Sequence, residues 1–227
     1  KLWHLDHTEV KILLGSHPRF SPIPLDTPKL EVKGNSVTNK DAKNLDYIIA
    51  SVINNNNIKI ENIDGQKLTN FQGENEKINS IAFSPDGNII AAGGNNGRIQ
   101  LWSINGKKLN TFKGHNQTIN TIAFSPDNKL IASAGEDRII KLWNFKGEEL
   151  QSFQGHRGII NSIAFNPTPL TNGGEGVIIA SAGEDYKIKL WNINGEELRT
   201  FKGHSVAISN IAFSPDGDII ASGGNNG

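Results

Sequence analysis

Three unrelated landmarks return along this chain at one interval. Trp102, Trp143 and Trp191 lie 41 and 48 residues apart, and so do Gly114, Gly155 and Gly203. Phe83, Phe124, Phe165 and Phe213 are spaced 41, 41 and 48, with the extra seven residues falling between Phe165 and Ala180. Sequences with a fixed period of this length fold as arrays, because one unit cannot cover its own apolar face and must stack on a neighbour. One copy, Lys113 to Asn144, reads KGHNQTINTIAFSPDNKLIASAGEDRIIKLWN. It opens on Gly114-His115 and alternates from Ile119 to Phe124. It turns at Ser125-Pro126-Asp127-Asn128, continues through small residues at 130–134, turns again at Gly-Glu-Asp and closes on Ile-Lys-Leu-Trp. Alternation and tight turns of this kind predict short antiparallel strands.

Residues 45–227 carry the pattern strongly and 1–44 weakly. With its Gly-His starts and its tryptophans near the end of each unit, the chain resembles the WD-repeat (Trp-Asp repeat) β-propeller family. The Asp that follows Trp in that family is Ser103, Asn144 and Asn192 here, at a position that varies among members. The resemblance implies an all-β fold, a β-propeller of four-stranded antiparallel blades. Five second strands, near residues 50, 91, 132, 180 and 221, give about five blade units in a single domain, 1–227. Two stretches leave the period: an irregular insertion at 18–44, with prolines 18, 22, 24 and 28, and an inserted surface loop at 168–176. Pro in a ladder removes a donor, so these stretches are expected outside the sheets. Two readings of this stretch stay open: Phe20-Ser21-Pro22 as a degenerate Phe-Ser-Pro turn, or Leu30-Glu31-Val32 as the inner strand.

Lys1-Leu2-Trp3 matches Lys141-Leu142-Trp143, and 223–227 matches 93–97, so both ends fall within a repeat. The expectation is a piece of a longer protein. Residues 1–14 then carry a third and fourth strand, which could complete the last blade and close a five-bladed ring. A truncated seven-bladed ring is the alternative, and its open blades would favour a homodimer or strand-swapped oligomer.

Lys plus Arg and Asp plus Glu each number 23, so the basic footprint of a nucleic-acid binder is missing. No run of 18 apolar residues and no signal-peptide pattern occurs, so neither a membrane segment nor export is expected and the cytoplasm is the expected compartment. The absence of cysteine excludes disulfides and thiolate metal sites. His4-Leu5-Asp6-His7 lacks a fourth ligand nearby and reads as a hairpin tip. The glycine-rich stretch 93–97 lacks the Lys-Ser/Thr and the helix of a phosphate loop. No metal or cofactor is expected.

One polar set repeats with the blade: His115, Ser133, Asp137 and Trp143, then His156, Ser181, Asp185 and Trp191. The family resemblance implies a buried hydrogen-bonded chain from the indole through Ser and His to the Asp turn. The same residue types suggest a catalytic triad. However, a triad needs an exposed nucleophile and an oxyanion site, and a set repeated in every blade has a structural task. Degraded copies are Glu74, Ala92, Asn96 and Trp102, and Ser16, Ser51, Asn55 and Glu61. A last copy has His204, Ser222 and Asn226, with Trp3 available for its Trp position.

The function implied by the resemblance is non-catalytic: a scaffold for protein–protein interaction that holds a protein or peptide on its top face. By analogy, candidate contacts stand before the Asp-type turn position (Asn54, Asn95, Glu136, Glu184, Asn225) and at the inner-strand entry. The entry positions are Lys77, Thr118, Ile159 and Ala207, with Asn75, Asn116, Arg157 and Ser205 two residues earlier. Tyr186 is the nearest aromatic anchor. Two alternatives stay open: a sensor or regulatory segment of a larger signalling NTPase or kinase, and a propeller lectin or hydrolase.

Overall fold

A computed structural model describes residues 11–13, 31–33, 36–38, 48–62, 67–74, 77–168 and 177–224. These residues form strands, turns and bends only. The first strands in chain order are β1 (Lys11–Leu13), β2 (Glu31–Lys33), β3 (Ser36–Thr38), β4 (Ile48–Ile53), β5 (Asn57–Asn62) and β6 (Lys67–Gln72). The first blade is the four-stranded sheet β1-β4-β5-β6, and β2 and β3 pair apart from it as a hairpin.

The second blade comprises β7 (Ile78–Phe83), β8 (Ile89–Gly94), β9 (Arg98–Ser103) and β10 (Lys108–Lys113). The third has β11 (Ile119–Phe124), β12 (Ile131–Gly135), β13 (Ile139–Trp143) and β14 (Glu149–Gln154). The fourth has β15 (Ile160–Phe165), β16 (Ile178–Gly183), β17 (Lys187–Asn192) and β18 (Glu197–Lys202). Each is an antiparallel meander. The fifth sheet holds β19 (Ile208–Phe213) and β20 (Ile220–Gly224).

Two expectations are corrected at the N-terminal end. Lys11–Leu13 lies against Ile49–Ser51 as the inner strand of the first blade, and is not an outer strand of the last. The segment containing Val32 pairs with Ser36–Thr38, so it does not supply that inner strand. The closure drawn from residues 1–14 is therefore not made by Lys11–Leu13, and among the described residues the sheets form an open series. Residues 1–10, with Trp3 and the His4–His7 stretch, lie outside the described residues, as do Ser16, Asn75, Asn225, Asn226 and most of 168–176.

The core lies between blades. The second strands of the third and fourth blades are buried on both sides: all five residues of β12 and all six of β16 are buried. Their Ala and Ser side chains and bare Gly let neighbouring sheets approach. Each described Trp packs into the blade before its own. Trp102 joins Ile58 and Ile60, Trp143 joins Ile99 and Leu101, and Trp191 joins Ile140 and Leu142. The Phe of each preceding outer strand meets that Trp: Phe71–Trp102, Phe112–Trp143 and Phe153–Trp191 have ring centroids 5.0, 5.3 and 5.4 Å apart. Burial of such aromatic surface is the main favourable term holding stacked blades together.

The inner strands are tied by a second device. Those of the second, third and fourth blades have a register shift just after their first residue, which leaves Asn79, Asn120 and Asn161 without a ladder partner. A bulge re-aims the extra side chain. Here Asn79, Asn120 and Asn161 each donate from Nδ2 to the next inner strand, at Ile119 O, Ile160 O and Ile208 O (3.2, 3.2 and 3.0 Å). The following residue accepts in return. Ile122, Ile163 and Ile211 amides donate to Ser80 Oγ, Thr121 Oγ1 and Ser162 Oγ at 3.1–3.2 Å. The free edge of one inner strand is thus satisfied by the previous blade. The fifth blade reverses the pair to Ser209-Asn210, and Ser209 Oγ donates back to Gly223 O within its own sheet.

Candidate functional site

On one face of the array, the turn between second and third strands meets the loop that carries the Gly-His pair. In the third blade Ser133, on the buried β12, sits between two rings. Trp143 Nε1–H donates to Ser133 Oγ at 2.8 Å, and Ser133 Oγ lies 2.7 Å from His115 Nε2. His115 Nδ1 lies 2.7 Å from Asp137 Oδ2. The proton positions follow from the inventory of donors. An ionised carboxylate only accepts, so Nδ1 carries the ring proton. In the neutral ring Nε2 is then the acceptor, and Ser133 donates its hydroxyl proton to it while accepting from the indole. The fourth blade repeats the chain, with Trp191 to Ser181 at 2.8 Å, Ser181 to His156 at 2.6 Å and His156 to Asp185 at 3.0 Å.

The electrostatics suit these proton positions. Burial alone would raise the Asp185 carboxyl, but hydrogen bonds from His156 and the Arg157 and Lys187 amides outweigh it, and the pKa is lowered. Asp137 is lowered in the same way by His115 and the Ile139 amide against burial. Burial pushes His156 below the ordinary imidazole value, further than Asp185 raises it. His156 is therefore the neutral, Nδ1-protonated ring. The arrangement has the connectivity of a hydrolytic triad but not its accessibility. Ser133 and Ser181 are fully buried, and an indole N–H occupies a lone pair of each hydroxyl oxygen. Nothing in solvent reaches those nucleophiles.

The other copies are incomplete. In the second blade Ala92 offers no hydroxyl, and Glu74 does not take the histidine's place. Its carboxylate is exposed and pairs with Lys108, while its amide donates to the buried Gln100 Oε1 at 2.7 Å. Gln100 Nε2 is buried with no acceptor among the described residues. In the first blade Glu61, at the Trp position, pairs with Lys59 at 2.5 Å. In the fifth, His204 Nε2 meets Ser222 Oγ at 2.6 Å.

The contact candidates among the described residues fall on this same face. Asn54, Asn95, Glu136, Glu184 and Tyr186 are exposed on the turns, and Asn116, Arg157, Ser205 and Lys77 are exposed on the entry loops. Thr118, Ile159 and Ala207 are half-buried, and Thr118 O and Ile159 O accept the amides of Glu136 and Glu184. These three shape the backbone more than they offer side chains. The analogy missed Arg138. Its turn position is glycine in the second blade (Gly97), and only its left-handed backbone, φ 65°, marks it. Among the described residues no group of three His, Cys, Asp or Glu side chains could hold a metal ion. No helix there is long and apolar enough to cross a membrane.

Meander sheets of four strands stacked face to face, joined by an indole–Ser–His–Asp chain, define a protein of the β-propeller type built from sequence repeats. The sequence profile described as "WD domain, G-beta repeat" matches residues 65–103, 106–144, 147–192 and 195–227, well over half of the chain. The chain belongs to the WD-repeat family. The first three matched stretches each take in the outer strand of one blade and the first three strands of the next, so these sequence repeats bridge two sheets. No curated protein matches the chain.

Proposed function

We propose that the protein is a non-catalytic scaffold that binds a protein or peptide partner on the face formed by the second-to-third-strand turns and the Gly-His loops. Members of the WD-repeat family generally mediate protein–protein interaction. The observation that carries the reading for this chain is the contrast between skeleton and tips. The same backbone turn recurs in successive blades, held by Asp137 and Asp185. The residues it exposes differ from blade to blade: Asn95 in the second, Glu136 and Arg138 in the third, Glu184 and Tyr186 in the fourth. A rigid frame with variable exposed tips is how loops on a fixed scaffold discriminate partners.

The test compares proteins captured by the wild type with those captured by E136K/E184K, with K107E/K146E on the opposite turns as control. The expected result is that specific partners bind the wild type and the control and are lost with E136K/E184K. Capture that is unchanged by E136K/E184K refutes the assignment of this face.

A further inference from the structure

Each described tryptophan fills a cleft between two blades, and one equivalent cleft is open. Trp191 lies on the outer strand of the third blade. Its ring is 5.4 Å from that of Phe153, which is 6% exposed, and a Cβ on Gly155 would meet Trp191 Cη2 at 2.5 Å. The same positions one blade further on are bare. Phe201 is 39% exposed, and a Cβ on Gly203 would meet nothing within 4 Å. With Ile188, His204, Ile219 and Ile220 they line a cleft of about 600 Å³. The second strand shows the same contrast: Ala132 and Ala180 are buried, whereas Ala221 is exposed and Ile219 is 64% exposed.

The strand edge beside this cleft is open too. Among the described residues β20 pairs with β19 alone. Ser222 Oγ lies 2.6 Å from His204 Nε2, but among the described residues no indole donates to it. The filled blades show what such an edge receives. Ile131, Ala132 and Ser133 pair with Trp143, Leu142 and Lys141, and Ile179, Ala180 and Ser181 pair with Trp191, Leu190 and Lys189. In both, the indole N–H reaches the serine hydroxyl at 2.8 Å. The triplet Lys-Leu-Trp occurs three times in the chain, at 1–3, 141–143 and 189–191, and the first copy lies outside the described residues. A free edge with an apolar pocket beside it is a template for an extended segment. Backbone hydrogen bonds hold the segment, and alternate side chains select it.

We propose that this cleft receives Lys1-Leu2-Trp3 of a second copy of the chain. Trp3 lies opposite Ile220 and over Phe201 and Gly203, and its Nε1–H donates to Ser222 Oγ. Leu2 and Lys1 stand opposite Ala221 and Ser222. The donor is a second copy because, within its own chain, the segment leads into Lys11–Leu13. That strand is the inner strand of the first blade, at the other end of the open series from β20. Each copy gives one segment and receives another, so the contact is heterologous. It does not use the turns proposed above for partner capture.

Light scattering after size exclusion tests this over a wide range of concentration. The variants are W3A, which lacks the donor ring, and G203L and I219R, which obstruct the cleft in two independent ways. The wild type is expected to rise from 24.7 kDa to at least twice that mass as concentration increases, while the three variants stay at 24.7 kDa. Mixing W3A with G203L or with I219R restores one intact contact, so a 1:1 complex of twice the mass is expected. Its formation also shows that both members are folded. Adding S222A to the W3A copy removes the acceptor of the indole N–H and is expected to weaken the mixed complex about tenfold. A wild type that stays at 24.7 kDa at every concentration overturns the proposal. If W3A then lowers the melting temperature of that monomer, Trp3 belongs to the cleft of its own copy. Oligomers that persist in W3A overturn the proposal as well, as does a mixture of W3A with both obstructed variants that yields no complex.

Discussion

Replacing Ser133 by Ala removes one oxygen at the centre of the third blade's chain. Trp143 Nε1–H and His115 Nε2 both lose their partner, and neither ring is accessible to water, at 3% and 2% exposure. Each buried polar group left unpaired costs about 1–3 kcal/mol, so the two left by S133A cost about 2–6 kcal/mol. For a chain of this size that corresponds to a fall in melting temperature of about 4–24 °C. Asp137 lies at the turn, where solvent reaches it, so D137A costs less, about 1–2 kcal/mol. D137N keeps an acceptor for the His115 Nδ1–H and stays within about 0.5 kcal/mol. Urea titrations followed by tryptophan fluorescence and by far-ultraviolet circular dichroism measure the series. The order S133A, D137A, D137N is the signature of a donor–acceptor chain. An S133A transition superimposed on that of the wild type would mean the chain holds nothing together, and the reasoning would fail.

Two further outcomes are expected. His156 and Asp185 both have lowered pKa values in the folded state, so the unfolded chain binds more protons and stability rises with pH. Urea midpoints measured from pH 8 downward should fall first as the pH passes the unfolded His value near about 6.5. They should fall again below about 4, as Asp185 and Asp137 protonate. A midpoint independent of pH over this range would contradict the assigned protonation states. Gly183→Ala places a Cβ 1.9 Å from Ile159 O, whereas Gly203 has nothing within 4 Å of the corresponding position. G183A should therefore cost about 3 kcal/mol or more and G203A almost nothing. Equal melting temperatures would show that the turn and the inner-strand entry are not packed as described.

The strands and their phase were legible because they are local. Alternation over six residues, Ser-Pro-Asp turns and the 41-residue return of Trp, Phe and Gly-His need no distant information. The same period grouped His115, Ser133, Asp137 and Trp143, since each stands at a fixed offset within one unit. Tertiary structure decided what depends on neighbours that no local pattern brings together. It seals Ser133 beneath Trp143 and so shuts out the hydrolytic reading of those side chains. It gives Asn120 and Thr121 their work, because the acceptor and donor they serve belong to the next blade. In the second blade it sends Glu74 outward to Lys108 and puts the Gln100 carbonyl on its amide. It also sets Lys11–Leu13 beside Ile49–Ser51, where a three-residue strand has too little pattern of its own to declare a side. Arg138 and Tyr186 are the sharpest case: as letters they are two exposed residues in a turn, and only their left-handed backbone, where the second blade has Gly97, marks their position as one where a side chain is costly to keep.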